Sequence, residues 1–76
     1  MAGSLYEFLR TEVQRMMLGI GMHNKGNLYP LIVEEVERSI IKIVLEETHG
    51  NLLASSKMLG ISRSTLYRKI KELGIE

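Results

Sequence analysis

Near the C-terminus Arg63, Ser64, Thr65, Tyr67, Arg68, Lys69 and Lys71 crowd into one short stretch, with no acidic residue between Ser62 and Lys71. These side-chain types suit recognition of a nucleic acid. The two parallel donors of an arginine match O6 and N7 of guanine in the major groove, which assigns base reading to Arg63. Thr65 offers a methyl to thymine or a hydroxyl to a base or phosphate, and Tyr67 can stack on a sugar or bond a phosphate. Arg63, Ser64, Thr65 and Tyr67 form the expected base-reading set. Arg68, Lys69 and Lys71, further along, suit phosphates, as do Asn51 and Ser62 at two helix starts where backbone amides stand free. Phosphate contacts position a protein on a duplex; base contacts specify the sequence.

Catalysis finds no comparable support. Ser56, Ser62 and Ser64 have no base placed beside them, and the glutamates upstream read as a solvated helix face. There is no cysteine, and His23 and His49 are far apart and share no carboxylate at ligand spacing. No catalytic residue, metal or cofactor is therefore expected.

Such a set works only if a helix start is held outward. Leu59-Gly60-Ile61-Ser62 is suited to that task. Glycine tolerates the positive φ of a tight turn. Ile61 plugs the gap between two helices, and Ser62 caps the second while leaving its first turn at the surface. The spacing predicts a short helix from Leu52 to Leu59, capped by Asn51, and a last helix from Ser62 whose inner stripe is Leu66, Ile70 and Leu73. Gly74 stops it, and Ile75 folds back on the last turn. Two short helices around a glycine turn are a helix-turn-helix pattern.

Upstream, Ser4-Leu5-Tyr6-Glu7 fits a capping box. Leu5, Phe8, Leu9, Val13, Met16, Met17 and Ile20 recur at three- and four-residue steps, a wide apolar stripe on a first helix that Gly19 and Gly21 end. A polar loop over 23–27 follows. Asn27 opens a second helix, Pro30 is tolerated in its first turn, and the helix is expected to reach His49, with Gly50 as its stop. Ile32, Val33 and Val36 point inward there, and Glu34, Glu35, Glu37 and Arg38 outward. His49 reads as a favourable charge near the helix C-terminus. Ile40, Ile41, Ile43, Val44 and Leu45 are apolar on nearly every side, and a helix apolar all round is buried all round.

A chain of 76 residues has little with which to bury that helix. With disulfides excluded, a second copy is the remedy, and Leu5, Phe8, Leu9, Val13, Met16, Met17, Ile32, Val36 and Ile40 are the expected dimer contacts. The expected fold class is all-α: four helices, the first two of each copy building a homodimeric four-helix core and the last two a helix-turn-helix. Residues 1–76 form a single domain, with 5–49 the dimerisation helices and 51–75 the helix-turn-helix. The charge divides accordingly: residues 1–49 hold seven acids and five bases, and residues 50–76 hold five bases and two acids. An acidic body with a basic tip suits docking one end on phosphates. No apolar run approaches a membrane span and no signal peptide is evident, so a cytoplasmic location is expected.

The stretches Val36-Glu37-Arg38-Ser39, Thr48-His49-Gly50-Asn51 and Leu59-Gly60-Ile61-Ser62-Arg63-Ser64-Thr65-Leu66-Tyr67-Arg68-Lys69-Ile70-Lys71-Glu72-Leu73-Gly74-Ile75 together resemble the Fis-type DNA-binding domain. That family takes in bacterial nucleoid proteins and the C-terminal domains of NtrC-type activators of sigma-54 promoters. The likeness covers about residues 28–76. It implies a homodimer whose two recognition helices enter successive major grooves of a pseudo-palindromic double-stranded site. It implies a phosphate contact for Asn51, base reading for Arg63, DNA contacts for Thr65 and Arg68, and a basic face that includes Lys69 and Lys71.

The ending Lys71-Glu72-Leu73-Gly74-Ile75 and the weakly acidic body resemble the NtrC-type activators more than the nucleoid proteins. The expected parent is then a transcription activator of a two-component system. Its receiver and ATPase domains, and sigma-54 RNA polymerase, would be further partners. A stand-alone, DNA-bending nucleoid protein is the alternative. Departures from the family pattern are Leu52 and Leu53 where polar residues are usual, Ser55 and Ser56 where alanines are usual, and Tyr67 where a base is frequent. Leu52 and Leu53 are expected to thicken the core. A helical dimerisation module without DNA affinity stays open as a third reading, motivated by the apolar second helix and near-neutral charge. RNA binding lacks the exposed aromatic platform that single-strand modules use.

Overall fold

The computed structural model describes residues 3–20 and 27–75. Four helices follow in order: α1 over Leu5–Ile20, α2 over Leu28–Glu47, α3 over Leu52–Leu59 and α4 over Arg63–Leu73. No strand occurs among the described residues, so the all-α class holds. The chain groups into two units, residues 1–32 and residues 33–76.

In the first unit α1 starts as its residues dictate. The Ser4 hydroxyl accepts from the Glu7 amide at 3.3 Å, and the Glu7 carboxylate accepts from the Ser4 amide at 3.3 Å. This reciprocal pair is the capping box, which satisfies two donors that the helix itself leaves unpaired. Leu9, Val13 and Met16 are half-buried, whereas Leu5 and Phe8 lie exposed. Gly19 does not end the helix, which continues to Ile20. One glycine costs a helix only about 1 kcal/mol. Gly21, His23 and the expected loop over 23–26 lie outside the described residues, as does the side chain of Ile20. α2 begins with the Asn27 carbonyl accepting from the Leu31 amide at 3.2 Å, so Pro30 falls in the first turn where it removes no bond.

In the second unit the buried residues come from three helices: Ile41 of α2, Ser55 and Ser56 of α3, and Leu66 of α4. α3 and α4 pack directly on each other. Serines belong poorly inside a helix by propensity, yet here each hydroxyl is satisfied. Ser55 shares a hydrogen bond of 2.6 Å with Thr48, and Ser56 donates to the Leu53 carbonyl at 2.8 Å. Their small volume lets α3 approach its neighbours, and the bonds cancel the cost of burying the hydroxyls.

The end of α2 differs from expectation. The helix ends at Glu47, because His49 already adopts the left-handed conformation, φ 54°, before Gly50 at φ 81°. The His49 amide donates to the Glu46 carbonyl and the Gly50 amide to the Leu45 carbonyl, closing a Schellman stop one residue ahead of the glycine. His49 is thus part of the stop, not the last turn. A side chain in that conformation costs about 1–2 kcal/mol, partly offset in glycine by its larger unfolded-state entropy. His49→Gly is expected to stabilise the chain by roughly 0.5–1 kcal/mol, seen as a higher denaturant midpoint; an unchanged midpoint would mean that the backbone carries no strain there.

The apolar second half of α2 is not enclosed within one chain, in keeping with the little that so short a chain has to cover it. Ile41 is 3% exposed, but Ile40 is 47% and Ile43 57% exposed. Val33, expected inward, is 40% exposed, and Leu53 of α3, expected to thicken the core, is 49% exposed. Glu37 and Arg38, expected outward, are half-buried. Among the described residues no helix is long and apolar enough to cross a membrane.

Candidate nucleic-acid interface

The turn between α3 and α4 sets the site. Gly60 adopts φ 76°, and the amides of Gly60 and Ile61 close on the Lys57 and Ser56 carbonyls. An added Cβ at Gly60 would meet nothing within 4 Å, so the need for glycine is purely one of backbone conformation. Ile61 follows half-buried as the plug.

Ser62, extended at φ −71° and ψ 155°, caps α4 by accepting from the Thr65 amide at 3.1 Å. Its hydroxyl in turn donates to the Thr65 hydroxyl at 2.8 Å and lies 3.3 Å from that of Ser64. The first-turn amides of α4 have no partner within the helix and carry its positive dipole end, which favours an anion there. Asn51 repeats the device at α3: its side-chain oxygen accepts from the Ala54 amide at 3.0 Å. That leaves its NH₂ group as a donor for a phosphate.

On α4 residues four apart share a row. Arg63, Tyr67 and Lys71 form one exposed row, and Ser64 and Arg68 the exposed row beside it. Thr65 and Lys69 form a half-buried third row, and Leu66, Ile70 and Leu73 face inward. Arg63 makes no hydrogen bond or ion pair with any described residue. The Lys71 ammonium sits 4.9 Å from the Tyr67 ring centroid, a contact worth about 0.5–1 kcal/mol at an exposed site. Arg68 pairs with Glu72 at 3.6 Å, both largely exposed; such pairs are worth about 0–1 kcal/mol and release readily to a better anion.

Lys69 does not stand free with them. Its ammonium is 2.5 Å from the Glu37 carboxylate on α2. Beside it, Arg38 donates from Nε to the Leu73 carbonyl at 3.0 Å and pairs with Glu35 at 2.9 Å. Leu73 offers one of the carbonyls that a helix C-terminus leaves unpaired, and a cation is favoured at that end. Glu37 and Arg38 therefore tie α4 to α2. A sequence signal existed: Glu37 and Arg38 lie four and three residues before buried Ile41, on the side of α2 that faces its neighbours.

An open, mostly apolar groove runs between His49, Leu52, Tyr67 and Ile70. No three His, Asp or Glu residues converge as metal ligands among the described residues.

Residues 32–73 match the family described as bacterial regulatory protein, Fis family. The DNA-binding protein Fis of Buchnera aphidicola subsp. Schizaphis graminum is 39% identical over 50 residues, 66% of this chain and 50% of its own length. The DNA-binding protein Fis of Glaesserella parasuis serovar 5 is 31% identical over 71 residues, 93% of this chain and 72% of its own. The DNA-binding transcriptional regulator NtrC of Azospirillum brasilense is 41% identical over 56 residues, 74% of this chain but 11% of its own length. The chain thus spans half, or far less, of some of these relatives. No solved structure matches it.

Proposed function

Because this chain belongs to the Fis family of bacterial regulatory proteins, we propose that it binds double-stranded DNA as a homodimer, sequence-specifically, at pseudo-palindromic sites, and performs no catalysis. The observation that carries this reading is the outward first turn of α4, which holds an exposed Arg63, unpaired among the described residues, over a capped helix start. Arg63, Ser64, Thr65 and Tyr67 read bases. Asn51, Ser62, Arg68 and Lys71 hold phosphates, Asn51 and Ser62 through the helix starts they cap.

Residues 1–76 act as one domain in this reading: 5–49 join two copies, and 51–75 dock on DNA. The exposed apolar side chains of Leu5, Phe8, Met17 and Ile40 support dimerisation, since a lone soluble chain rarely leaves so much apolar surface in water. Leu9, Val13, Met16, Ile32 and Val36, half-buried in one chain, complete the contact set.

Of two roles for such a dimer, the stand-alone nucleoid protein that bends DNA is better supported than the activator. Likeness to proteins named Fis runs over as much as 93% of the chain. The activator role, with receiver and ATPase domains and sigma-54 RNA polymerase as partners, rests on 56 residues shared with NtrC. Either role places the chain in the bacterial cytoplasm, at the nucleoid.

Titration of duplexes selected from a random pool, at several salt concentrations and with the mass of the complex measured, tests the proposal. Two chains per site are expected, with log K falling linearly as log salt rises, by about 0.9 for each phosphate neutralised. A monomer at the concentrations that saturate DNA, or no affinity for any duplex at low salt, would overturn it.

A further inference from the structure

We propose that Glu37 limits the affinity of the chain for DNA by withholding Lys69, so that the attraction of α4 for phosphates stays below what its composition allows. The inference rests on the duplex-binding reading above.

Two ion pairs on α4 invite comparison. Arg68–Glu72 spans 3.6 Å with side chains 61% and 58% exposed, and both partners sit on the same helix. Lys69–Glu37 spans 2.5 Å with side chains 30% and 36% exposed, and it joins two helices. The first is open to water and salt. The second is shorter and more sheltered, hence less screened. Arg38 adds a second tie next to it, from Nε to the Leu73 carbonyl at 3.0 Å. With α2 and α4 joined there, the two long side chains of the Lys69 pair need little further ordering to meet.

Lys69 lies in the row of Thr65, directly beside the exposed rows. A lysine is a point charge on a flexible stem, and a freed Lys69 would reach the phosphates that Arg68 and Lys71 approach. Each cation on a phosphate adds affinity for every sequence alike. Holding one back, twice in a dimer, lowers the affinity for every duplex by one factor and leaves preference to the base-reading first turn. Glu37 is in this sense a positioning residue: it touches no DNA and acts through Lys69.

The test uses the full chain and four forms, native, E37Q, K69Q and E37Q/K69Q, each titrated against a mixed-sequence duplex and a pool-selected duplex across salt, with helix content checked by circular dichroism. E37Q is expected to bind the mixed and the selected duplex tighter by the same several-fold factor, to steepen the salt slope by about 0.9 per chain, and so to keep the native preference between them. K69Q in the native background is expected to leave the slope unchanged, and the double variant to return to it. A slope shallower by about 0.9 in K69Q alone would show Lys69 already on phosphate and overturn the proposal; so would E37Q indistinguishable from native. Should E37Q fail to fold, K69Q alone decides. A native chain that binds no duplex at low salt sinks the duplex-binding reading and this inference together, whereas normal native binding with an inert E37Q sinks this inference only.

Discussion

Arg63→Ala is expected to leave the helices intact and to remove most of the chain's discrimination among duplex sequences. Arg63 is exposed on the first turn of α4 and bonds to no described residue, so the folded chain loses nothing with it. A bidentate arginine–guanine pair is worth about 1–3 kcal/mol against the wrong base, roughly 5- to 150-fold. A two-fold dimer on a pseudo-palindrome makes the contact twice, so the loss in preference doubles on the free-energy scale. Arg63→Lys separates fork from charge: lysine keeps the cation but cannot match two acceptors at once. It is expected to retain the native salt slope and still lose preference for the selected duplex. Competition between selected and mixed-sequence duplexes measures both, and an alanine variant with undiminished preference would remove Arg63 from the reading set.

Leu66→Ala acts on the fold. Leu66 is 0% exposed and is the innermost side chain of α4, in the same unit as buried Ile41 of α2 and Ser55 and Ser56 of α3. Truncating a leucine so enclosed costs about 3–5 kcal/mol, the transfer of the lost atoms plus the cavity left behind. Whole domains are stable by only about 5–15 kcal/mol, and one this small lies at the low end. The expected result is a large fall in the denaturant midpoint with partial loss of helix signal at ordinary temperature. Leu66→Met, nearly equal in volume, is expected to cost less than about 1.5 kcal/mol. A saturating duplex should restore part of the lost stability of the alanine form, because a ligand that binds only the folded state favours it. An unchanged midpoint in Leu66→Ala would mean that α4 is not held through this residue.

Both predictions draw on features that local sequence carries well. The Ser4–Glu7 box, the caps at Asn51 and Ser62, and the left-handed stops at Gly60 and Gly74 all follow from residues within four positions of one another. A hydrogen bond closed inside one turn depends on side-chain type and backbone geometry alone, so it is readable before any packing is known. The inward row of Leu66, Ile70 and Leu73 is readable for the same reason, since helical period places it.

The departures arise where distance along the chain is large or neighbours compete. Glu37 and Lys69 stand 32 positions apart, Arg38 and the Leu73 carbonyl 35. Charge pattern alone placed Glu37 and Arg38 in water and Lys69 beside Arg68. Ser55 and Ser56 looked out of place inside a helix until Thr48 and the Leu53 carbonyl supplied their partners. His49 entered the stop ahead of Gly50, an outcome settled by which amide reaches the Leu45 and Glu46 carbonyls.

The amino-acid order alone thus determined where helices begin and end, within a residue or two, and which side chains line the outer rows of the last one, because each of those outcomes is governed within a single turn. The meeting of α2 with α4 decided which charges remain available: among the described residues Arg63 stays unpaired, Lys69 is claimed by Glu37, and Arg38 serves the end of α4. Ion pairs between helices form only after the apolar stripes have brought their bearers together, and that meeting cannot be read from either helix taken singly.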